Sequence, residues 1–315
     1  MLGFRSTLSN IEDMRKDLDH LPQKKQRELA RAVDILFAEF EDVLKLATSP
    51  RKKSGRILKI ILFGSYARGG WVDEPHTSKG YMSDYDLLVI VNHKDLTDLA
   101  TYWHTADDRL MRDPEIKTPV NFIVHTMDEV NNALAQGQYF FSDIKREGIV
   151  LYELPGYPLI EPKLITAEEA YKTAKGHFER WYANAMSAID FYRFGIREEK
   201  WNDAAFMLHQ ATERLYQCLL LTVTNYGPST HNIKFLRSLA EANEKNLINA
   251  WPRETKNERR CFELLKRAYV DARYSEHYAV TKEELNWLGI HVDLLQHIVE
   301  QVCKKKLHNL KEFIS

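Results

Sequence analysis

Residues 57–70 read ILKIILFGSYARGG, and residues 83–91 read SDYDLLVIV. Each contains a short, β-branched, continuous apolar run, the pattern of a strand buried on both faces. The first run is closed by Gly64, which lets backbone N–H groups approach an anion, and Ser65 adds a hydroxyl donor. Tyr66-Ala67-Arg68 then starts a short helix whose N-terminus favours phosphate. Asp84 and Asp86 stand two residues apart at the head of the second run, so a period of two points both carboxylates to one face. Two carboxylates with room for water suit Mg²⁺ bridging triphosphate oxygens.

Outward from this pair the texture is mixed. Upstream, residues 9–48 have helical spacing, with Ser9 or Asn10 as cap, Glu12 and Asp13 in the first turn, and Leu29, Val33, Leu36, Phe37, Phe40 and Val43 on one apolar face. Residues 69–83 have loop composition, with Lys79 among them. Downstream, helices are expected at 95–111, 127–136 and 140–146, and strands at 119–125 and 149–152. Residues 153–163, ELPGYPLIEPK, hold three prolines and a glycine and read as a linker. Beyond it the pattern is helical throughout, at 166–194, 202–224, 232–246, 257–275 and 282–311. In the last stretch Leu285, Leu288, Val292, Leu295, Val299 and Val302 line one face. The expected fold is an α/β domain over 1–155, a mixed sheet with flanking helices, followed by an all-α helical bundle over 164–315.

The chain of 315 residues is 44% hydrophobic and 28% charged with a net charge of −1, which gives no support for general coating of nucleic acid. Cys218, Cys261 and Cys303 are far apart and odd in number, which argues against a zinc site and a disulfide framework. The N-terminus has no apolar core of a signal peptide, and no run reaches the roughly 18–20 residues that span a bilayer. No membrane partner and a cytoplasmic location are expected. Lys304-Lys305-Lys306 reads as a solvated helix end.

Through FGSYARG…SDYDLLV, residues 57–130 resemble the nucleotidyltransferase superfamily that includes DNA polymerase β and the minimal nucleotidyltransferases. The resemblance implies that Gly64 and Ser65, with Arg68 nearby, hold a nucleotide triphosphate, and that Asp84 and Asp86 are catalytic and bind Mg²⁺. Two features depart from it. The loop Trp71–Ser83 is longer than in minimal members, and the third carboxylate on the following strand is replaced by Asn121, whose amide cannot act as a general base. His125 shares that strand face.

In the second half, HQATERLY at 209–216, Tyr226-x-Pro228, His231 and AYVDARYSEHY at 268–278 resemble the HEPN family, helical bundles often found beside a minimal nucleotidyltransferase. The resemblance implies a site drawn from Arg273, His277, Tyr278, His209 and Glu213. Many members cleave RNA without metal through an R-x4-6-H motif, whereas here three residues separate Arg273 from His277. If one helix continues through both, they share a face. Three functions stay open. The chain transfers NMP to a hydroxyl on a small molecule, RNA or protein, in a toxin–antitoxin-related role. Alternatively, it is a HEPN ribonuclease controlled by its attached domain, or a catalytically silent nucleotide sensor. A homodimer through the bundle is expected.

Overall fold

The computed structural model describes residues 14–45, 53–73 and 82–314. Ser9, Asn10, Glu12, Asp13, Lys79 and most of the loop before Ser83 lie outside them.

Residues 14–22 are not helical, contrary to the helical reading of 9–48. Pro22 restricts the residue before it and has no N–H, so the helix starts only after it, and the Pro22 carbonyl accepts from Lys25 and Gln26 N–H. Helix α1 is Gln23–Lys45. Strand β1, Ile57–Phe63, runs into the one-turn helix α2, Gly64–Arg68. Strand β2 is Tyr85–Val91 and β3 is Val120–Thr126. Between them the single helix expected over 95–111 is broken into a 3-10 turn, α3 (Leu99–Tyr102) and α4 (His104–Arg112), because the Asp98 side chain caps a new start at Ala100 and Thr101. Helices α5 (Met127–Ala135) and α6 (Tyr139–Glu147) precede β4, Ile149–Glu153. The sheet order is β3-β2-β1-β4, with β1 antiparallel to both neighbours and β2 parallel to β3, so the sheet is mixed.

The C-terminal part is helical: α7 (Ala167–Arg197), α8 (Trp201–Thr224), α9 (Ile233–Asn243), α10 (Lys256–Arg267), α11 (Asp271–Tyr274) and α12 (Lys282–Glu312). Thr166, Thr255 and Thr281 each form a capping box with the glutamate three residues on, which sets where α7, α10 and α12 begin. Among the described residues no helix is long and apolar enough to cross a membrane.

Every residue of β1 and β2 is buried. One face of the sheet, with Ile60, Leu62, Leu87 and Val89, packs on Leu29, Leu36 and Phe40 of α1 and on Trp103. The opposite face, with Ile61, Leu88, Ile90 and Ile123, belongs to a core that continues into Leu215, Leu219, Leu236 and Leu239 of the helical half. The two halves therefore share apolar burial across the sheet. Tyr226 pins this interface. Asn225 takes a left-handed conformation at the end of α8 and turns the chain there. The Tyr226 ring then stacks on Phe140 at 3.9 Å, and its hydroxyl lies 2.9 Å from His125 Nε2. Replacing Tyr226 with alanine removes a buried ring from this joint. The expected cost is about 3 kcal/mol in urea-induced unfolding of the full chain, while Tyr226→Phe, which keeps the stack, should lose much less.

Candidate functional site

The turn after β1 fits its residues closely. Gly64 has φ +75, and a Cβ there would lie 2.6 Å from Asp86 Oδ2. The register places Asp86 opposite Phe63 on one side and Asn121 on the other. Asn121 Nδ2 donates to Asp84 Oδ2 at 2.9 Å. Gly64, Asp84, Asp86 and Asn121 are thus brought together at one end of the strands. Ser65 is half-buried beside them, its carbonyl accepting the Gly69 and Gly70 N–H groups that end the helical turn. Arg68 lines the same cavity as Gly64 and Asp86, with its guanidinium 3.8 Å from Glu147.

Asp86 is only 3% exposed, and its Oδ1 has no hydrogen-bond partner. Burial pushes its carboxyl well above the usual range, and the adjacent Asp84 adds to the effect. Burial also raises Asp84, opposed by hydrogen bonds from Asn121 and Ser238. Two neighbouring buried carboxyls are costly to ionise together, and a divalent cation would reverse that balance. Mg²⁺ is satisfied by one or two carboxylates with waters completing its shell. The orphaned Asp86 oxygen beside Asp84 therefore fits it, although no cluster of three His, Cys, Asp or Glu that could hold a metal occurs among the described residues. Asn121 carries no carboxylate and spends an amide hydrogen on Asp84.

The helical half closes this site. Asn121 Nδ2 lies 3.4 Å from Ser238 Oγ on α9, and Leu239, Ala242 and Asn243 of α9 line the cavity over Gly64 and Asp86. That cavity holds about 50 Å³, room for an ion and little water but not for a nucleotide. The sequence carried no signal for this cover, because α9 is distant in the chain and reads as an ordinary amphipathic helix. His125, on the same strand face as Asn121, is committed to Tyr226 and to Glu129, whose Oε2 lies 3.5 Å from Nδ1. Burial lowers its pKa.

A second cluster forms within the helices. His209 and Glu213 lie four apart on α8. Glu213 Oε2 is 2.9 Å from His231 Nδ1 and 3.9 Å from His209 Nδ1. His231 stacks on Tyr269 at 4.1 Å, and the Arg273 guanidinium lies 4.6 Å from the same ring and 4.8 Å from Phe206. Arg273 Nε donates to the Tyr269 carbonyl, so the guanidinium is held by aromatic faces and backbone, not by Glu213. His209, Glu213 and Arg273 are thus assembled, together with Tyr269, which sequence reasoning did not single out. His277 and Tyr278 are placed elsewhere. The helix expected over 257–275 breaks after Arg267, and its last short turn, α11, ends at Tyr274, where Ser275 turns extended. Arg273 and His277 therefore do not share a helix face. His277 instead joins Arg260, Arg267 and Tyr278 around a separate cavity of about 230 Å³. Tyr278 is buried and donates its hydroxyl hydrogen to the Leu264 carbonyl.

Both clusters yield stability tests. Gly64→Ala forces a left-handed backbone on a residue with a Cβ and drives that Cβ into Asp86. It should cost about 2 kcal/mol in a thermal melt. His209 is fully buried with neither ring nitrogen hydrogen-bonded, and burial, aided by the nearby His231 and Arg273 charges, lowers its pKa from 6.5 to about 4. Between those values the unfolded chain binds a proton that the folded chain refuses. The contribution is complete above pH 6.5 and is lost as pH falls to about 4, a loss of about 3 kcal/mol. In His209→Gln, melting temperature measured across that window should depend less steeply on pH than in the wild type.

Comparison with known proteins bears on the second cluster. No curated protein matches the chain. The model of the HEPN domain family matches residues 178–288, a span that includes His209, Glu213, His231, Tyr269 and Arg273. Residues 178–288 of this chain thus carry a HEPN domain, and the buried His209 and Glu213 lie within it together with the exposed His231.

Proposed function

We propose that the N-terminal half binds a nucleoside triphosphate with Mg²⁺. Gly64, Ser65 and Arg68 would face the phosphates, and Asp84 and Asp86 would hold the ion. The observation that carries this reading is the buried Asp86, whose Oδ2 packs against Gly64 and whose Oδ1 has no partner among the described residues. Leaving such a group unpaired costs several kcal/mol, so its retention favours a ligand that pairs it. Bound Mg²⁺ would neutralise charge on the triphosphate. Binding comes first in this reading, and transfer of NMP to a hydroxyl acceptor is the slower activity of the same site. With Asn121 donating to Asp84, the acceptor's proton would pass to a carboxylate of the pair, Asp84 or Asp86. Because α9 fills the space above Gly64, nucleotide entry requires α9 to shift, which couples the ligand to the HEPN domain.

A second reading, RNA cleavage by the HEPN domain under control of the attached half, rests on the His231–Glu213 pair with Arg273 nearby. A carboxylate-supported imidazole beside a permanent cation is the equipment of general acid–base chemistry at phosphate.

Equilibrium binding of a fluorescent ATP analogue, with and without Mg²⁺, tests the first reading. Asp86→Asn should weaken the Mg²⁺-dependent affinity by about tenfold or more, a change of about 1.4 kcal/mol. Hydrogen exchange of residues 233–243 should speed up on binding. Equal affinity in wild type and Asp86→Asn would remove the basis for the site. Rapid RNA degradation abolished by His231→Ala would put the second reading first.

A further inference from the structure

A larger cavity, about 370 Å³, lies between the two halves and is lined by Asn121, whose amide also reaches Asp84. The Phe140–Tyr226 stack separates it from the cavity over Gly64 and Asp86, with Phe140 lining the latter and Tyr226 the former. We propose that this cavity binds a nucleoside, with its base lying against the outer edge of β3.

Four observations support this. First, the volume falls within the range of small-molecule sites and the position between domains is a usual one for them. Second, β3 is an edge strand. Among the described residues it pairs only with β2, and residues 121–125 line the cavity in unbroken succession. Main-chain N–H and C=O groups along such an edge present donors and acceptors in one plane, which is what the edge of a nucleobase requires. Third, the walls combine flat apolar surfaces (Phe122, Tyr226 and Pro228) with neutral hydrogen-bonding groups (Thr97, Thr230 and Asn232). Aromatic faces favour a stacked heterocycle over a flexible alkyl chain. Fourth, the charge is wrong for a polyphosphate. Among the described residues no arginine lines the cavity, its lysine Lys94 is bonded to Glu129, Asp107 contributes a carboxyl, and its imidazoles are His104 on the exposed side and His125, which burial and Tyr226 hold neutral. The occupant is thus an uncharged, planar, hydrogen-bonding ring carrying hydroxyls.

The site does not depend on the metal pair, and its test is separable from that of the triphosphate site. Equilibrium dialysis of the full chain against labelled adenosine, guanosine, cytidine and uridine, in buffer without Mg²⁺, measures it directly. At least one nucleoside should bind with one-to-one stoichiometry at sub-millimolar concentration, and Asp86→Asn should leave that affinity unchanged. Ala100 and Ser229 sit on the exposed rim at opposite walls, so a tryptophan at either position fills the cavity with little burden on the core. Ala100→Trp, and independently Ser229→Trp, should each weaken binding by about tenfold or more at unchanged melting temperature. If none of the four nucleosides binds at millimolar concentration, or if both tryptophan variants bind as the wild type does, the proposal is overturned. If nucleoside binding is lost in Asp86→Asn as well, the ligand occupies the metal site instead and the assignment to this cavity is overturned.

Discussion

The burial of the second sheet face governs the rest of the molecule. In a sheet with one wetted face, a carboxylate at a strand end keeps its hydration. Here Leu88, Ile90 and Ile123 pack into the same core as Leu236 and Leu239, so α9 comes down over the strand ends where Asp84, Asp86 and Asn121 sit. The same packing that joins the halves therefore takes two acids out of water, raises both, and strands one oxygen of Asp86. A polar group removed from water without a partner is unfavourable in a folded chain unless function keeps it. The covered pair and the shared core are consequences of one contact.

Tyr226 shows how the interface is built from few parts. Thr224 and Asn225 end α8 so that the following residue leaves the helix at a fixed angle, and Gly227 lies so close to Gln217 that a Cβ there would clash with its amide oxygen. The ring lands on Phe140 and the hydroxyl on His125, which ties a β3 residue to the helical half. Cavities then remain on either side of this post. The smaller lies over Gly64 and the larger beside β3, and both are bounded by each half of the chain.

Much of this was legible from local sequence. ILKIILF followed by Gly64, and Asp84-x-Asp86 leading into LLVIV, identify two buried strands and a glycine turn because burial and period act over a few residues. The place of Asn121 beside the aspartate pair was also accessible, through the resemblance that puts a third polar group on the following strand. Other features misled. Helical spacing in residues 14–22 was overridden by Pro22, and spacing through 257–275 hid a break after Arg267 and the end of the last turn at Tyr274. Arg273 and His277 looked like neighbours on one helix and belong to different surroundings.

By itself the sequence determined where the four strands lie, that the second half is helical, where the glycine turn must fall, and which residue types stand at the strand ends. Those properties arise from hydrophobic period, backbone stereochemistry and capping, all of which act within a turn or two. Tertiary structure alone decided that His231 meets Glu213 across 18 positions, that Tyr269 lies between His231 and Arg273, and that Ser238 meets Asn121. These are contacts between surfaces remote in the chain. Their specificity lies in the shape and burial of the packed halves, which no local pattern records.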